Sequence, residues 1–123
     1  MIDKLVSIIT PTYNCARFIA RTLDSVQKQT YQNWEMIIVD DQSKDNTKEI
    51  VEEYIKGDPR IKYHLLEVNS GAAVARTMAM KLAQGSYMAF LDSDDVWTPD
   101  KLERQIRWME ENNYAFHALR MSR

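Results

Sequence analysis

Short apolar runs alternate along the chain with longer stretches whose apolar residues recur at helical spacing. Leu5–Ile9 is a continuous β-branched run, and Thr10-Pro11-Thr12 behind it predicts a buried strand closed by a turn. Phe18, Ile19, Thr22, Leu23 and Val26 then predict a helix, with Asn14 placed to cap it. Trp34–Val39 is apolar enough for a second strand covered on both faces. Thr47, Ile50, Val51, Tyr54 and Ile55 form the stripe of a second helix, which Gly57 and Pro59 stop. Ile61–Val68 reads as a weaker strand, because Lys62, His64 and Glu67 interrupt it, and suits a sheet edge or a strand with one wet face. A third helical stripe, Val74, Ala75, Met78, Ala79 and Leu82, closes at Gly85. Tyr87–Leu91 predicts a fourth strand. Thr98 and Pro99 read as cap and first residue of a last helix facing inward with Leu102, Ile106 and Met109. Tyr114–Leu119 is a candidate fifth strand.

Strand alternating with helix predicts an α/β fold: a doubly wound, mostly parallel, Rossmann-like sheet with helices on both faces. A chain of 123 residues has room for one core, so residues 1–123 read as a single domain. The net charge of −2 leaves no electrostatic footprint for nucleic acid. Cys15 is alone, so it forms neither an internal disulfide nor a cysteine metal site, which suits a reducing compartment. No apolar run approaches the ~18 residues of a membrane span, and the first residues do not form a signal peptide. A soluble, cytoplasmic chain with at most peripheral membrane contact is expected. The three tryptophans, Trp34, Trp97 and Trp108, read as packing, and Met78, Met80, Met88 and Met109 as core.

Polar clusters follow the predicted strands on one side of the sheet. Thr10–Asn14 follows the first, Asp40-Asp41 the second, and Asp92-Ser93-Asp94-Asp95 the fourth. Open α/β sheets bind ligands outside the carboxyl ends of their strands, so these clusters are expected to share a cleft. Three carboxylates in four positions raise one another's cost of ionisation. A hard cation such as Mg²⁺ or Mn²⁺ offsets that cost through oxygen ligands and keeps room for substrate phosphates.

The glycine-rich phosphate loops of dinucleotide enzymes and P-loop proteins are missing, so metal rather than a backbone nest would neutralise phosphate here. No Ser/His/Asp or Cys/His arrangement is legible, and His64 and His117 read as structural. A receiver-like signalling domain is the non-enzymatic alternative. It needs an acid pair after the first strand and a lone acid after the third, whereas Thr10-Pro11-Thr12 and Val68-Asn69 stand there.

Four blocks in order resemble the family 2 inverting glycosyltransferases of the GT-A fold. They are Val6–Asn14, Glu35–Thr47, Asn69–Arg76 and Gly85–Asp95, the last carrying a DxD motif as Asp92-Ser93-Asp94. The resemblance implies a nucleotide-sugar-binding domain that ends before the acceptor-binding half, with the catalytic base expected beyond Arg123. It implies that Thr10, Pro11 and Tyr13 line the base and ribose pocket, and that Asp41 accepts a hydrogen bond from uracil. Asp92, Ser93 and Asp94 would meet the donor, with Asp94 and Asp92 holding the metal, Mn²⁺ or Mg²⁺. Asp95 reads as outer electrostatic support and Asp40 as a loop tie. Arg76 fits either a diphosphate contact or an ion pair. The implied partners are a UDP-sugar donor and a glycan or lipid-linked acceptor in cell-surface polysaccharide synthesis. A nucleotide-sugar-binding fragment without turnover is the alternative within the same family.

Overall fold

The computed structural model of the chain describes residues 4–112 and 118–120. Nine elements follow in sequence: β1 (Val6–Thr12), α1 (Ile19–Gln27), β2 (Trp34–Asp40), α2 (Thr47–Gly57), β3 (Ile61–Leu65), α3 (Ala72–Leu82), β4 (Tyr87–Phe90), α4 (Lys101–Glu111) and β5 (Ala118–Arg120). The strands form one parallel sheet in the order β3-β2-β1-β4-β5. The chain therefore winds outward from β1 through β2 to β3, then crosses back to β4, and the switch point lies between β1 and β4. A receiver-like sheet would carry β1 between β2 and β3, so that alternative is excluded by the strand order.

Strand alternation sorts the core into two layers. Val6, Ile8, Met36, Ile38, Tyr87 and Ala89 face α1, α2 and α4, whose Leu23, Val51 and Ile106 are fully or almost fully buried. Ile9, Ile37 and Val39 face the opposite way, against Ala75 and Ala79 of α3. Two alanines suffice on α3 because the helix lies close over the sheet; its Val74, Met80 and Leu82 stay partly exposed. Met80 thus stands outside the core, and so does Trp108, which is 53% exposed because it falls off the buried Leu102–Ile106–Met109 stripe of α4. Trp34 and Trp97 are buried as expected.

Several boundaries differ from the sequence pattern. The first strand runs on through Pro11 to Thr12 instead of turning at Thr10. Pairing with β4 stops at Ile9, whose carbonyl accepts from Leu91. Pro11 points to that same side, past the end of β4, where a missing N–H breaks no ladder bond. Asn14 does not cap α1; it sits at φ 51° and its side chain accepts from the Lys44 amide at 2.7 Å. The last helix begins at Lys101, not at Pro99, because Thr98 and its carbonyl are held in a turn to the Lys101 amide. β3 ends at Leu65 and is an edge strand. Of the candidate fifth strand, Ala118–Arg120 pairs with β4, while 114–117, His117 included, lie outside the described residues.

A buried polar knot closes the amino ends of the strands. Glu35 accepts from the Ser7 hydroxyl at 2.6 Å, the Gln84 amide at 2.7 Å and the Lys62 ammonium at 2.7 Å. Burial pushes the Glu35 carboxyl up, but the Lys62, Ser7 and Gln84 hydrogen bonds outweigh it and leave the group below its ordinary 4.5. A lowered folded value means this stabilisation is complete above the unfolded value and is lost as pH falls through the folded one. Glu35→Gln is therefore expected to cost about 1–3 kcal/mol at pH 7. The gap between its thermal midpoint and the parent's should narrow as the pH drops below 4.5. A gap constant from pH 7 down to acid would remove the charge from this account.

Candidate functional site

The carboxyl ends of β1, β2 and β4 open into one cleft of about 540 Å³. Its lining includes Pro11, Thr12, Tyr13, Cys15, Asp41, Asn69, Gly71, Arg76, Asp92, Ser93 and Asp94. The loops that build it are stitched together before any ligand arrives. The Asn14 amide donates to the Ser43 hydroxyl at 2.8 Å, the Cys15 amide to Thr47 at 3.1 Å, and the Ala16 amide to the Asp45 carboxylate at 3.1 Å. Partial burial pushes the Asp45 carboxyl up. Hydrogen bonds from the Thr47 hydroxyl and the Ala16 and Thr47 amides more than offset this, so the group lies below its ordinary value. Asp40 faces the α2 side and binds the Ser43 amide and hydroxyl through Oδ1 and the Tyr63 hydroxyl through Oδ2. It is a loop tie, as its sequence position suggests.

Asp41 faces the other way, toward α3. It is almost fully buried, with its Oδ1 accepting from the Ser70 amide at 2.6 Å. Its Oδ2 accepts from the Gly71 amide at 2.9 Å and from the Asn69 side chain at 3.1 Å. The carboxylate therefore sits at the start of α3, where amide groups and the helix dipole favour negative charge. Gly71 adopts φ 99°, a conformation open to glycine and strained for other residues, and that turn brings its amide round to Asp41. A carboxylate offers about four lone-pair sites, and among the described residues three are filled. The remaining one is on Oδ1.

Across β1 stands the acidic loop. Carboxylate oxygens of Asp92, Asp94 and Asp95 lie within 4.8 Å of one another. Two oxygens on opposite sides of Mg²⁺ would be ~4.2 Å apart, so small side-chain rotations would close this set around a hard cation. All three donors are oxygens. Asp92 and Asp94 are exposed and leave open positions for water or phosphate, so the residues fit such an ion.

Of the site residues predicted from sequence, Pro11, Tyr13, Asp41, Asp92, Ser93 and Asp94 all line this cleft. Thr10 does not. Its side chain is fully buried on the α1 face of β1, and its hydroxyl has no hydrogen-bond partner among the described residues. Thr12, two residues on, takes its place in the lining because the strand reaches further than its pattern suggests. Ser93 lines the floor with its hydroxyl turned to the Cys15 sulfur at 2.8 Å. Tyr13 is 44% exposed at the cleft, not packed on α1. Arg76 is exposed in the lining and forms no salt bridge among the described residues. Asp95 comes closer to the other acids than expected and completes the oxygen set. Asn69 and Cys15 line the cleft with no site role assigned to them from sequence, although Asn69 opens the Asn69–Arg76 block.

Comparison with known proteins gives a consistent picture. The model of the family described as "Glycosyl transferase family 2" matches residues 7–122. A Bacillus subtilis protein named for teichuronic acid biosynthesis, the glycosyltransferase TuaG, is 55% identical over 91% of this chain and 44% of its own length. The Escherichia coli protein WfgD, a UDP-Glc:alpha-D-GlcNAc-diphosphoundecaprenol beta-1,3-glucosyltransferase, is 51% identical over 94% of this chain and 45% of its own. The chain thus spans less than half the length of these relatives. Among solved structures, Staphylococcus aureus TarS 1-349 in complex with UDP-GlcNAc superposes with a TM-score of 0.83 at 36% identity, covering 88% of this chain and 32% of that one. The mannosyltransferase PcManGT from Pyrobaculum calidifontis, in complex with GDP-Man and Mn²⁺, gives 0.79 at 29% identity, covering 88% and 33%.

Proposed function

Because the chain belongs to glycosyl transferase family 2, we propose that its cleft binds a UDP-sugar donor together with Mn²⁺ or Mg²⁺. The sugar is presented for inverting transfer to a glycan or lipid-linked acceptor, as in cell-surface polysaccharide synthesis. One observation carries this reading. The acid suited to a base and the acids suited to a metal end the two strands, β2 and β4, that flank β1 within a single cleft. A nucleoside diphosphate laid across β1 would reach both. Support for uracil comes from the UDP-sugar names of WfgD and the TarS complex, and support for the metal from the Mn²⁺ complex of PcManGT.

In this reading Asp94 holds the cation, with Asp92 and Asp95 supplying neighbouring oxygens, and Pro11, Thr12 and Tyr13 bracket the ribose and base. Asp41 receives the uracil N3–H on the vacant site of Oδ1. The cation would offset the charge that develops on the leaving diphosphate. The chain spans less than half the length of TuaG and WfgD, and no cleft residue is assigned to the acceptor or to its proton, so these 123 residues by themselves are expected to bind donor without transferring sugar. Transfer is placed at the cytoplasmic face of a membrane, with peripheral association. Among the described residues no helix is long and apolar enough to cross one.

Calorimetric titration tests the base assignment. UDP should bind more tightly than GDP in Mn²⁺. Asp41→Asn should weaken UDP by about 1–3 kcal/mol, since the replacement keeps an acceptor and loses the charge. Equal affinity for both nucleotides, unchanged in the variant, would rule out base reading by Asp41.

A further inference from the structure

We infer that Thr22 is a positioning residue for the acidic loop, holding the backbone on both sides of Asp94 so that its carboxylate meets those of Asp92 and Asp95. The inference rests on the cation reading proposed above and concerns how that site is shaped. Thr22 lies within α1 and is fully buried. Its Oγ1 is 3.0 Å from the Ser93 carbonyl oxygen and 2.6 Å from that of Asp95. One hydroxyl proton is shared between two carbonyls, and these belong to the residues before and after Asp94. The turn is closed from within by the Asp95 amide donating to the Asp92 carbonyl at 3.1 Å.

Thr22 does not act alone. Ser25 follows it in α1 and Gln29 lies just past the helix end, and both are buried. The Ser25 hydroxyl donates to the Thr22 carbonyl at 2.7 Å and accepts from the Trp97 amide at 3.2 Å. Gln29 donates to the Thr98 carbonyl at 2.7 Å and accepts from the Leu102 amide at 3.0 Å. A buried polar edge along α1 and just past its end thus grips the connection from Ser93 to the start of α4. Buried polar groups are costly unless each finds a partner, and here Thr22, Ser25 and Gln29 each have at least one partner on the backbone of that connection. The segment between β4 and α4 has no regular structure of its own, and three like charges within it repel one another. The anchoring on α1 opposes that repulsion at its centre.

The experiment measures how far Mn²⁺ raises UDP affinity, as the ratio of dissociation constants in EDTA and in Mn²⁺, for the 123-residue chain. Thr22→Val keeps the shape and removes the hydroxyl, and is expected to cut the enhancement by about 10-fold or more, as for loss of an outer partner of a metal ligand. Thr22→Ser should restore it to within about twofold, because the hydroxyl returns. Val51→Ala, a core truncation on α2, should lower the melting temperature and leave the enhancement at the parent's value, which separates positioning from general stability. If Thr22→Val does not fold, Ser25→Ala decides: it should also reduce the enhancement. A parent-like ratio in Thr22→Val, or in Ser25→Ala if that variant decides, overturns the inference alone. A parent chain with no Mn²⁺ enhancement overturns the cation reading and this inference with it.

Discussion

Asp94→Ala is expected to abolish the part of UDP-induced thermal stabilisation that depends on Mn²⁺. With ligand near 100 times its dissociation constant, binding stabilises the fold by about 2.7 kcal/mol. For a domain of this size that is a rise in melting temperature of roughly 5–15 °C. Metal and diphosphate together neutralise the triad, whereas either alone leaves unbalanced charge, so their effects should exceed the sum of the parts. The ligand-free variant should melt at the parent temperature or slightly above, since one of three mutually repelling carboxylates is gone. A differential scanning experiment in EDTA and in Mn²⁺, with and without UDP, reads all four corners. An equal UDP shift in EDTA and Mn²⁺, or a parent-like response from Asp94→Ala, would exclude Asp94 as the metal ligand.

Gly85→Ala carries the largest expected loss of stability. A Cβ at this position would lie 2.6 Å from the Leu5 carbonyl oxygen, 2.7 Å from the Ser7 hydroxyl and 2.9 Å from the Ser7 amide nitrogen. Two of these atoms are backbone, pinned where β1 meets β4 by the Ser86 amide donating to Leu5 at 2.8 Å. Nothing there can swing aside, and the Gly85 amide itself donates to the Ser7 hydroxyl that feeds the Glu35 knot. The variant must spread two central strands, at about 3 kcal/mol or more, the upper end of overpacking costs. That predicts a fall in melting temperature of roughly 10 °C or more. Gly57→Ala provides the contrast, since nothing lies within 4 Å of its added methyl. It should be neutral or stabilise by up to ~1 kcal/mol through the unfolded chain. Indistinguishable melting of the two variants would show that β1 and Gly85 are not in contact.

The architecture was legible because its signals are local and redundant. Each strand is an apolar run and each helix a stripe, and their alternation leaves a parallel sheet as the economical arrangement. The acids were legible for a different reason: carboxylates crowded just past a buried strand have few structural uses. What escaped depended on neighbours distant in sequence. Pro11 reads as a strand breaker until β4 is seen to stop beside Ile9. Thr98-Pro99 reads as a helix start until Gln29 and Lys101 are seen to claim the Thr98 carbonyl. Thr22 counts as one more member of an amphipathic stripe, and only the fold shows which carbonyls it meets. Thr10 was assigned to the site by its place in a motif, but strand alternation turns it into the core.

The three hydrogen bonds accepted by the Asp41 carboxylate join the cleft to the 69–71 turn that leads into α3. Because the carboxylate that would greet the ligand also fastens the Ser70 and Gly71 amides, occupancy of the cleft and order in the first turn of α3 are reciprocal quantities. Whatever a bound nucleotide adds to the hold on that turn, a well-ordered turn returns as affinity. Substitutions that loosen α3 where it packs on the sheet, at Ala79 for instance, would then be felt as weaker binding by a ligand they never touch. A helix face whose residues, taken singly, look like ordinary packing would then help to set how tightly the cleft holds its ligand.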